Sequence, residues 1–193
     1  MNTSRRMDTE SCKRLIRTWA LLTPIPPALT GSSEVDGTYY MIGEDKTQGT
    51  VFQNVNCYSS KNLVEWTYEG ALLSQTQEAG DLGPDRVVER PKVLFNDNTG
   101  KYVLYLHIDS RDYKEAKVGV ATGDTVCGKY EYHGSFRPLG FQSRDMGLFK
   151  DEDGSGYLLS EDVSDTALLH GHFGELLTVL LAGLRNSYHG PVG

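Results

Sequence analysis

A glutamate and an arginine stand side by side at Glu89 and Arg90, in a stretch whose other residues are mostly apolar. Pro91 and Lys92 follow directly. A carboxylate and a guanidinium together offer acceptors and donors, so this position could bind a polar ligand. The simpler interpretation is an ion pair at a strand end, between Glu89 and either Arg90 or Lys92.

The stretch that carries this pair is the first half of a predicted hairpin. Its Val, Leu and Phe residues suit a pleated, buried strand, and a second apolar run follows. Between the two runs, Asp97, Asn98 and Gly100 suit a four-residue turn, because glycine accepts positive φ and Asx side chains bond their own backbone. Pro91 cannot donate to a strand ladder. We therefore expect the start of this strand at a sheet edge or at a rim facing a cavity.

The same strand pattern occurs three times along the chain. A glycine, an aromatic-rich apolar run and an acidic end recur at 37–45, 100–109 and 156–162. A second pattern, with aromatic, aromatic, glycine and apolar positions at identical spacing, begins at Trp66 and again at Tyr130. Each copy of the second pattern follows a strand of small residues. A unit of about four short strands therefore recurs along the chain.

These repeats predict an all-β fold. The blades of a β-propeller are four-stranded sheets arranged around a channel, and they produce this kind of repeat. The alternative is a β-sandwich, which also shows frequent turn signals but has no long-period repeat.

Composition excludes several classes of partner. The 193 residues carry a net charge of -7, with 38% hydrophobic and 23% charged residues, which is typical of one globular domain or part of a larger one. No basic stripe is available to replace phosphate counterions, and no apolar run approaches a membrane span. We expect no nucleic-acid partner, no membrane association and no cofactor.

The first 36 residues are poorly patterned, and we interpret them as a leader or a poorly ordered segment. Basic residues precede an apolar stretch at 19–22, but Arg17 interrupts it and prolines follow closely, so it is not a convincing signal peptide. The three cysteines, Cys12, Cys57 and Cys127, include no pair at metal-ligand spacing. The sequence is equally compatible with a Cys57–Cys127 disulfide and with two buried free thiols.

The last 31 residues, 163–193, differ from the rest of the sequence. Their apolar spacing is helical but broken by glycines, so we interpret them as an aberrant, weakly helical tail. Residues 37–162 are then the folded domain. The acidic cluster at 151–154 lacks the alternating ligands of a calcium loop, and we interpret it as a hairpin turn. We predict no metal site.

Several motifs occur in one order along the chain. They are Tyr-Tyr-Met-Ile-Gly-Glu-Asp-Lys at 39–46, Cys-Tyr-Ser-Ser-Lys-Asn-Leu-Val-Glu-Trp at 57–66, Val-Glu-Arg-Pro-Lys-Val at 88–93, the run 102–109 and Ser-Arg-Asp-Met at 143–146. Together they resemble glycoside hydrolase family 43, and within it the exo-β-1,3-galactanase branch. The resemblance implies a five-bladed β-propeller with a sugar site at the centre of one face. This chain would supply about two and a half blades.

The resemblance also implies roles for individual residues. Hydrolysis with inversion needs a carboxylic acid to protonate the leaving oxygen and a base to activate water. A third acid tunes the general acid, because a nearby negative charge raises its pKa. By the resemblance, Asp145 has this tuning role, Glu89 binds sugar hydroxyls in the reacting subsite, and Glu44 and Tyr113 line the pocket. The family's acid and base lie in later blades, so we expect both to be outside this chain.

Each of these residues also has a simpler interpretation. Asp145 follows Arg144 and could form a local salt bridge with it. Glu44 could be a solvated acid at a hairpin end, and Tyr113 could be a surface aromatic. His107 faces inward or outward according to strand parity alone, and we do not predict it to be a ligand.

The resemblance therefore predicts a glycoside hydrolase of the galactan 1,3-β-galactosidase type, which acts outside the cell on a β-galactan polysaccharide or oligosaccharide. Two other functions are compatible with the same residues. One is a catalytically inactive remnant that binds sugar, and the other is a propeller that serves as an interaction scaffold.

Overall fold

The computed structural model describes residues 37–150 and 155–162, together with the backbone of two short strands near the termini. In chain order the strands are β1 (Trp19–Leu22), β2 (Tyr39–Glu44), β3 (Asn54–Ser60), β4 (Thr67–Ser74), β5 (Val87–Asn96), β6 (Lys101–Asp109), β7 (Lys117–Gly123), β8 (Glu131–Phe136), β9 (Met146–Lys150), β10 (Gly156–Ser160) and β11 (Ala182–Leu184). One 3₁₀ turn occupies Pro138–Gly140. The described residues contain no α-helix.

The strands form three antiparallel sheets, and consecutive strands are neighbours in each of them. The first sheet has the order β1-β2-β3-β4, the second β5-β6-β7-β8, and the third β9-β10-β11. Sheets whose strands follow chain order are the blades of a propeller, whereas a sandwich of the immunoglobulin kind has Greek-key connections. The all-β prediction is confirmed, and the chain forms part of a β-propeller.

The threefold sequence pattern corresponds to the second strand of each sheet. The runs at 37–45, 100–109 and 156–162 contain β2, β6 and β10. Because these strands hold equivalent places in their sheets, the acidic end of each run lies at the same end of its sheet. Glu44 and Asp109 are the last residues of β2 and β6, and both are buried.

The glycine in the second repeated pattern has a backbone explanation. Gly70 in β4 has φ 123°, and Gly134 in β8 has φ 112°, a region that residues with a Cβ rarely adopt. Beside each of them the ladder to the preceding strand shifts by a β-bulge. The outermost strand of both complete sheets therefore bends at the same place.

The predicted hairpin joins β5 to β6 through residues 97–100. Gly100 has φ 65°, and its amide donates to the carbonyl of Asn96 at 2.9 Å. The Asn96 side chain accepts from the amide of Asn98 at 3.0 Å. β5 is an edge strand of its sheet, as the position of Pro91 predicted.

Two apolar cores lie between the sheets. The larger one joins the first and second sheets and includes Ile42, Val55, Leu72, Val88, Val93, Leu104, Leu106 and Ile108. The smaller one joins the second and third sheets and consists of Tyr105, Val118, Val120, Met146 and Leu158. Even-numbered residues of β6 thus face the first sheet, and odd-numbered residues face the third. His107 and Asp109 continue the odd-numbered row.

A disulfide joins Cys57 in β3 to Cys127 in the connection between β7 and β8, with the Cα atoms 5.5 Å apart. Of the two alternatives left open by the sequence, the structure has the bridge. It ties the first sheet to the second across 70 residues of chain.

The two terminal segments each contribute a short strand. In the predicted leader, Trp19–Leu22 pairs with β2. In the predicted tail, Ala182–Leu184 pairs with β10, so these three residues are extended although the apolar spacing that leads up to them is helical. The rest of both segments and the acidic turn at 151–154 lie outside the described residues. The division into leader, domain and tail stays a prediction.

We expect the double variant Cys57→Ala/Cys127→Ala to lose about 4 kcal/mol of unfolding free energy, because the bridge restricts a long loop in the unfolded chain. Urea unfolding of the oxidised proteins measures this difference. Reductant should destabilise the wild type and leave the double variant unchanged. Equal midpoints for the oxidised wild type and the double variant would contradict the expectation.

Candidate functional site

The predicted site residues lie where one end of each sheet meets the others. β5 lies against β1 and β2 of the first sheet and against β9 of the third. Glu44 ends β2, Glu89 lies near the start of β5, and Asp145 directly precedes β9. Tyr113 lies in the connection after β6. Residues far apart in sequence are therefore brought to one place.

A bulge in β5 shapes this place. The pairing of β5 with β6 shifts between Glu89 and Lys92, and Arg90 has φ 56°, in the left-handed region. A left-handed non-glycine residue costs on the order of 1 kcal/mol and persists only where its surroundings hold it. Here the amide of Arg90 donates to Glu44 Oε1 at 2.8 Å. Pro91 has no amide hydrogen that the shifted ladder would leave unpaired.

Glu89 has partners on several elements. Its Oε1 lies 2.7 Å from Lys46 Nζ and accepts a hydrogen bond from the Tyr113 hydroxyl at 3.3 Å. Its Oε2 lies 3.8 Å from His107 Nδ1. Burial alone would raise the pKa of Glu89, but the contacts with His107 and Lys46 lower it to about 2. The ion pair of Glu89 within its own strand is therefore not the arrangement that forms.

Glu44 and Glu89 share one ammonium group. Lys46 Nζ lies 2.7 Å from Glu44 Oε2 and 2.7 Å from Glu89 Oε1. Burial opposes the charge on Lys46, yet its hydrogen bonds to the two carboxylates raise its pKa. Glu44 is only 3% exposed, so it is not a solvated acid at a hairpin end.

Asp145 pairs with a residue of the second sheet. Arg90 Nε lies 2.6 Å from Asp145 Oδ1. The predicted alternative, a salt bridge to Arg144, is replaced by this contact, and Arg144 Nη2 instead donates to the carbonyl of Tyr113 at 2.6 Å. The Asp145 side chain is 63% exposed, so most of its carboxylate faces open space.

Tyr113 is held by its backbone and by its hydroxyl. Its amide donates to the carbonyl of Ser110 at 3.0 Å, and its φ is 55°. Burial and the negative charge of Glu89 raise the pKa of the phenol, which therefore donates its proton to Glu89. The ring centre lies 6.1 Å from that of His107. Tyr113 is half-buried and belongs to the cluster rather than to the outer surface.

Three further members of the cluster were missed by sequence reasoning. His107 is 2% exposed, and its Nε2 lies 2.8 Å from Asp109 Oδ2. Lys46 bridges the two glutamates described above. The signal for His107 and Asp109 was available, because two polar residues at i and i+2 end a strand that is otherwise apolar. Lys46 gave a weaker signal, since a lysine in a turn is ordinarily solvated.

The cluster is suited to binding hydroxyl groups. It presents carboxylate oxygens as acceptors, ammonium and guanidinium groups as donors, and one aromatic ring. With its pKa near 2, Glu89 is ionised at neutral pH and acts as an acceptor, not as a proton donor. Within 37–150 and 155–162, no group of three His, Cys, Asp or Glu residues is placed to hold a metal ion. The described part of the chain also has no helix that is long and apolar enough to span a membrane.

Comparison with known proteins identifies the family. The sequence model of glycosyl hydrolases family 43 matches residues 32–187, most of the chain. The chain belongs to this family. The predicted resemblance is therefore confirmed at the level of the family.

Comparison with solved structures agrees with this family assignment. An exo-β-1,3-galactanase from Phanerochaete chrysosporium, crystallised with β-1,3-galactotriose, is 44% identical over 68% of this chain, with a TM-score of 0.64. An exo-β-1,3-galactanase from Clostridium thermocellum is 33% identical over 83% of this chain, with a TM-score of 0.67. A curated relative from Thermoclostridium stercorarium is 34% identical over 109 residues and is a xylosidase/arabinosidase.

This member of glycosyl hydrolases family 43 is much shorter than the proteins it matches. It spans 31% of the fungal chain, 35% of the Clostridium thermocellum chain and 22% of the curated relative. The structural relatives act on β-1,3-galactan and the curated one is a xylosidase/arabinosidase. The activities named for the structural relatives and for the curated relative therefore differ.

Acid should remove the stabilising effect of Glu89. The pKa of Glu89 lies below its unfolded value near 4.5, so its contribution is fully present above about pH 4.5 and is lost as the pH falls toward 2. This lowering of the Glu89 pKa corresponds to about 3 kcal/mol of unfolding free energy. We expect the difference in unfolding free energy between wild type and Glu89→Gln to narrow over this range in urea titrations.

Glu65→Gln is the matched control, because Glu65 is exposed on the connection between β3 and β4. Its difference from wild type should be small at every pH. A Glu89→Gln difference that stays constant between pH 5 and pH 2 would show that Glu89 is not held ionised by its partners.

Lys46→Met should destabilise the protein by about 3 kcal/mol at pH 7, because it leaves the buried Glu44 and the partly buried Glu89 without their shared ammonium. The loss should shrink in acid, because removal of Lys46 raises the pKa of Glu89 and the variant then takes up a proton at a higher pH than the wild type. Urea unfolding at pH 7 and pH 4 measures both effects. The control is Lys129→Met, at an exposed lysine of the second sheet's last connection, with an expected change within about 0.5 kcal/mol. Equal effects of the two substitutions would contradict the bridging role.

Proposed function

We propose that this chain forms the galactose-binding part of a glycoside hydrolase of the galactan 1,3-β-galactosidase type. The observation that carries the proposal is the convergence of Glu44, Glu89, Tyr113 and Asp145 at one end of the three sheets. The likeness to exo-β-1,3-galactanases over two thirds or more of this chain supports it. A β-galactan polysaccharide or oligosaccharide is then the ligand.

We propose for each residue the role that the family resemblance implies, and its contacts are compatible with that role. Glu89 is ionised and fixed, so its carboxylate accepts hydroxyls of the sugar in the reacting subsite. Glu44 is buried behind it, and Tyr113 offers its ring to the sugar face. Asp145 has an exposed carboxylate held from one side by Arg90, and it tunes and orients the general acid.

The general acid and the base are proposed to come from parts of the enzyme outside these 193 residues. A general acid at neutral pH needs a raised pKa, and that of Glu89 is lowered. Asp109 is fully buried and is occupied by hydrogen bonds, so it cannot reach a leaving oxygen. The acidic residues described at this site thus bind and orient, and they do not exchange protons with substrate.

A sugar-binding module without hydrolytic activity is the second candidate. It is favoured by the same ion pairs, because they occupy the carboxylates that would otherwise take part in proton transfer. The two candidates share their binding residues and differ in whether a complete enzyme that includes the acid and the base hydrolyses the bound galactan. No contact of the described residues favours the scaffold.

Secretion is proposed from the disulfide. A buried Cys57–Cys127 bridge persists in an oxidising compartment, whereas cytosolic thiols are kept reduced. Intact mass after alkylation of protein from the culture medium and from the cell interior tests this proposal.

We expect the folded chain to bind β-1,3-galactobiose and galactose, and Glu89→Gln to weaken both by at least about tenfold, because a charged acceptor is lost. Titration followed by ligand-observed NMR measures the affinity, with xylose and arabinose as competing sugars. Glu65→Gln is the control and should bind like the wild type. Undiminished binding by a folded Glu89→Gln variant would exclude the proposed site.

The same preparation should release no galactose from β-1,3-galactan above the uncatalysed rate. Turnover that disappears in Glu89→Gln would overturn the proposal that the acid and the base lie elsewhere. Tighter binding of xylose or arabinose than of galactose would indicate a substrate like that of the curated xylosidase/arabinosidase.

A further inference from the structure

The strongest unassigned feature is a buried row of polar groups behind Glu89. We propose that His107 and Asp109 form a positioning pair that fixes the Glu89 carboxylate for accepting a sugar hydroxyl. The proposal rests on the proposed function for the sugar, but the contacts that support it concern the protein alone. His107 and Asp109 do not themselves touch the sugar.

Asp109 is the fixed end of the row. Its side chain has no exposed surface, and its Oδ1 accepts the amides of Ser110 at 2.9 Å and Glu115 at 2.8 Å. Those two bonds hold the carboxylate in one orientation. The other oxygen, Oδ2, then faces His107 Nε2 at 2.8 Å. Asp109 therefore sets the position of the imidazole ring and places a proton on its Nε2.

The second ring nitrogen is directed at Glu89. Nδ1 lies 3.8 Å from Glu89 Oε2, whereas Lys46 and Tyr113 both contact Oε1. The two oxygens of Glu89 are thus approached by different groups. Attraction across the 3.8 Å separation requires a proton on Nδ1, because a bare lone pair there would repel the carboxylate. His107 then restrains the one oxygen that the other partners leave alone.

The ionisable groups around the ring come from three elements. Glu89 faces it from β5, Asp109 from the end of β6, and Tyr113 from the connection after β6, with the two ring centres 6.1 Å apart. Lys46 approaches through its contact with Glu89. Carboxylate oxygens therefore lie on both sides of the imidazole, so a proton on either ring nitrogen has an acceptor.

A histidine that only fills space would behave differently. It would affect stability when replaced, but it would leave the ionisation of Glu89 unchanged. The decisive readout is therefore the Glu89 carboxyl itself. Burial raises the pKa of Glu89, and His107 and Lys46 together bring it to about 2, so the removal of His107 should be visible there.

The first experiment uses the unmodified 193-residue chain. Long-range ¹H–¹⁵N NMR at pH 7 locates the protons of the His107 ring. A proton on Nδ1 is expected. An unprotonated Nδ1 would overturn the proposal without any substitution, so this test does not depend on a variant that folds.

The second experiment compares His107→Gln with His133→Gln. Glutamine can still donate to Asp109 but places no second donor toward Glu89. The titration of the Glu89 carboxyl, followed by ¹³C NMR, should move up by about one pH unit or more in His107→Gln. His133 is an exposed histidine on β8, and its replacement should leave the Glu89 titration unchanged. An unchanged Glu89 titration in folded His107→Gln would overturn the proposal.

Asp109→Asn provides a second, isosteric variant. The asparagine oxygen keeps the two backbone bonds, and its amide donates to Nε2, so the ring carries a proton on Nδ1 and none on Nε2. We expect a smaller upward shift of the Glu89 titration than in His107→Gln. A shift equal to that of His107→Gln, or no shift, would overturn the assigned role of Asp109.

Galactose affinity separates this proposal from the function on which it rests. As a single substitution, His107→Gln should weaken galactose binding about threefold to tenfold relative to the wild type. The affinity for galactobiose should fall by the same factor. If Glu89→Gln does not alter galactose binding, the proposed function fails while the shift of the Glu89 titration still supports the positioning pair. If Glu89→Gln abolishes binding and His107→Gln leaves both affinity and titration unchanged, the positioning pair fails and the proposed function holds.

Discussion

The bulge at Glu89, Arg90 and Pro91 is the constraint on which the site depends. In a regular strand, successive side chains point to opposite faces, and one of two neighbouring charged residues would be directed into an apolar core. The extra residue in the bulge changes the direction of both side chains. Glu89 reaches Lys46 of the first sheet and Arg90 reaches Asp145 beside the third, so two consecutive residues join three sheets. Glu44, through the Arg90 amide, holds the strained backbone in place.

The second feature is a row of side chains in which carboxylates alternate with nitrogen-bearing groups. Asp109, His107, Glu89, Lys46 and Glu44 follow one another, each within 4 Å of the next. Burying any one of these groups alone would cost several kcal/mol, about 3 to 5 when a partner is removed. Buried as a row they compensate one another. Such a row adds little to the net free energy of folding. Its effect is to hold the acceptor oxygens in fixed positions before a ligand binds.

The sequence predicted the repeated elements because each pattern is local. Gly70 and Gly134 require the same backbone conformation, and their spacing alone indicated equivalent strands. The prediction that one site contains Glu44, Glu89, Tyr113 and Asp145 came from the resemblance to a family. The partners were less predictable, because Asp145 lies beside Arg144 in sequence but beside Arg90 in space.

Long-range register explains what was missed. Whether His107 faces a core or a polar group depends on the shift in pairing between β5 and β6, and no residue of β6 reveals that shift. Strand parity places His107 in the same row as Tyr105, which is apolar in its surroundings. Only the bulge in the neighbouring strand brings a carboxylate opposite it. The cysteines posed the same difficulty, since their pairing depends on how two sheets pack.

The covalent tie between the first two sheets has a consequence for the entropy of sugar binding. Cys57–Cys127 and the bond from the Tyr130 amide to the Leu72 carbonyl at 2.9 Å leave these sheets little freedom to move against each other. In the proposed function, a sugar that binds against Glu44 and Glu89 contacts a surface that is already ordered, so little conformational entropy of the protein is lost on binding. Asp145 directly precedes β9 of the third sheet and is mostly exposed. In the proposed function, the surface that binds the sugar is therefore rigid, whereas Asp145, the residue proposed to tune the general acid, lies on the more exposed side of the site.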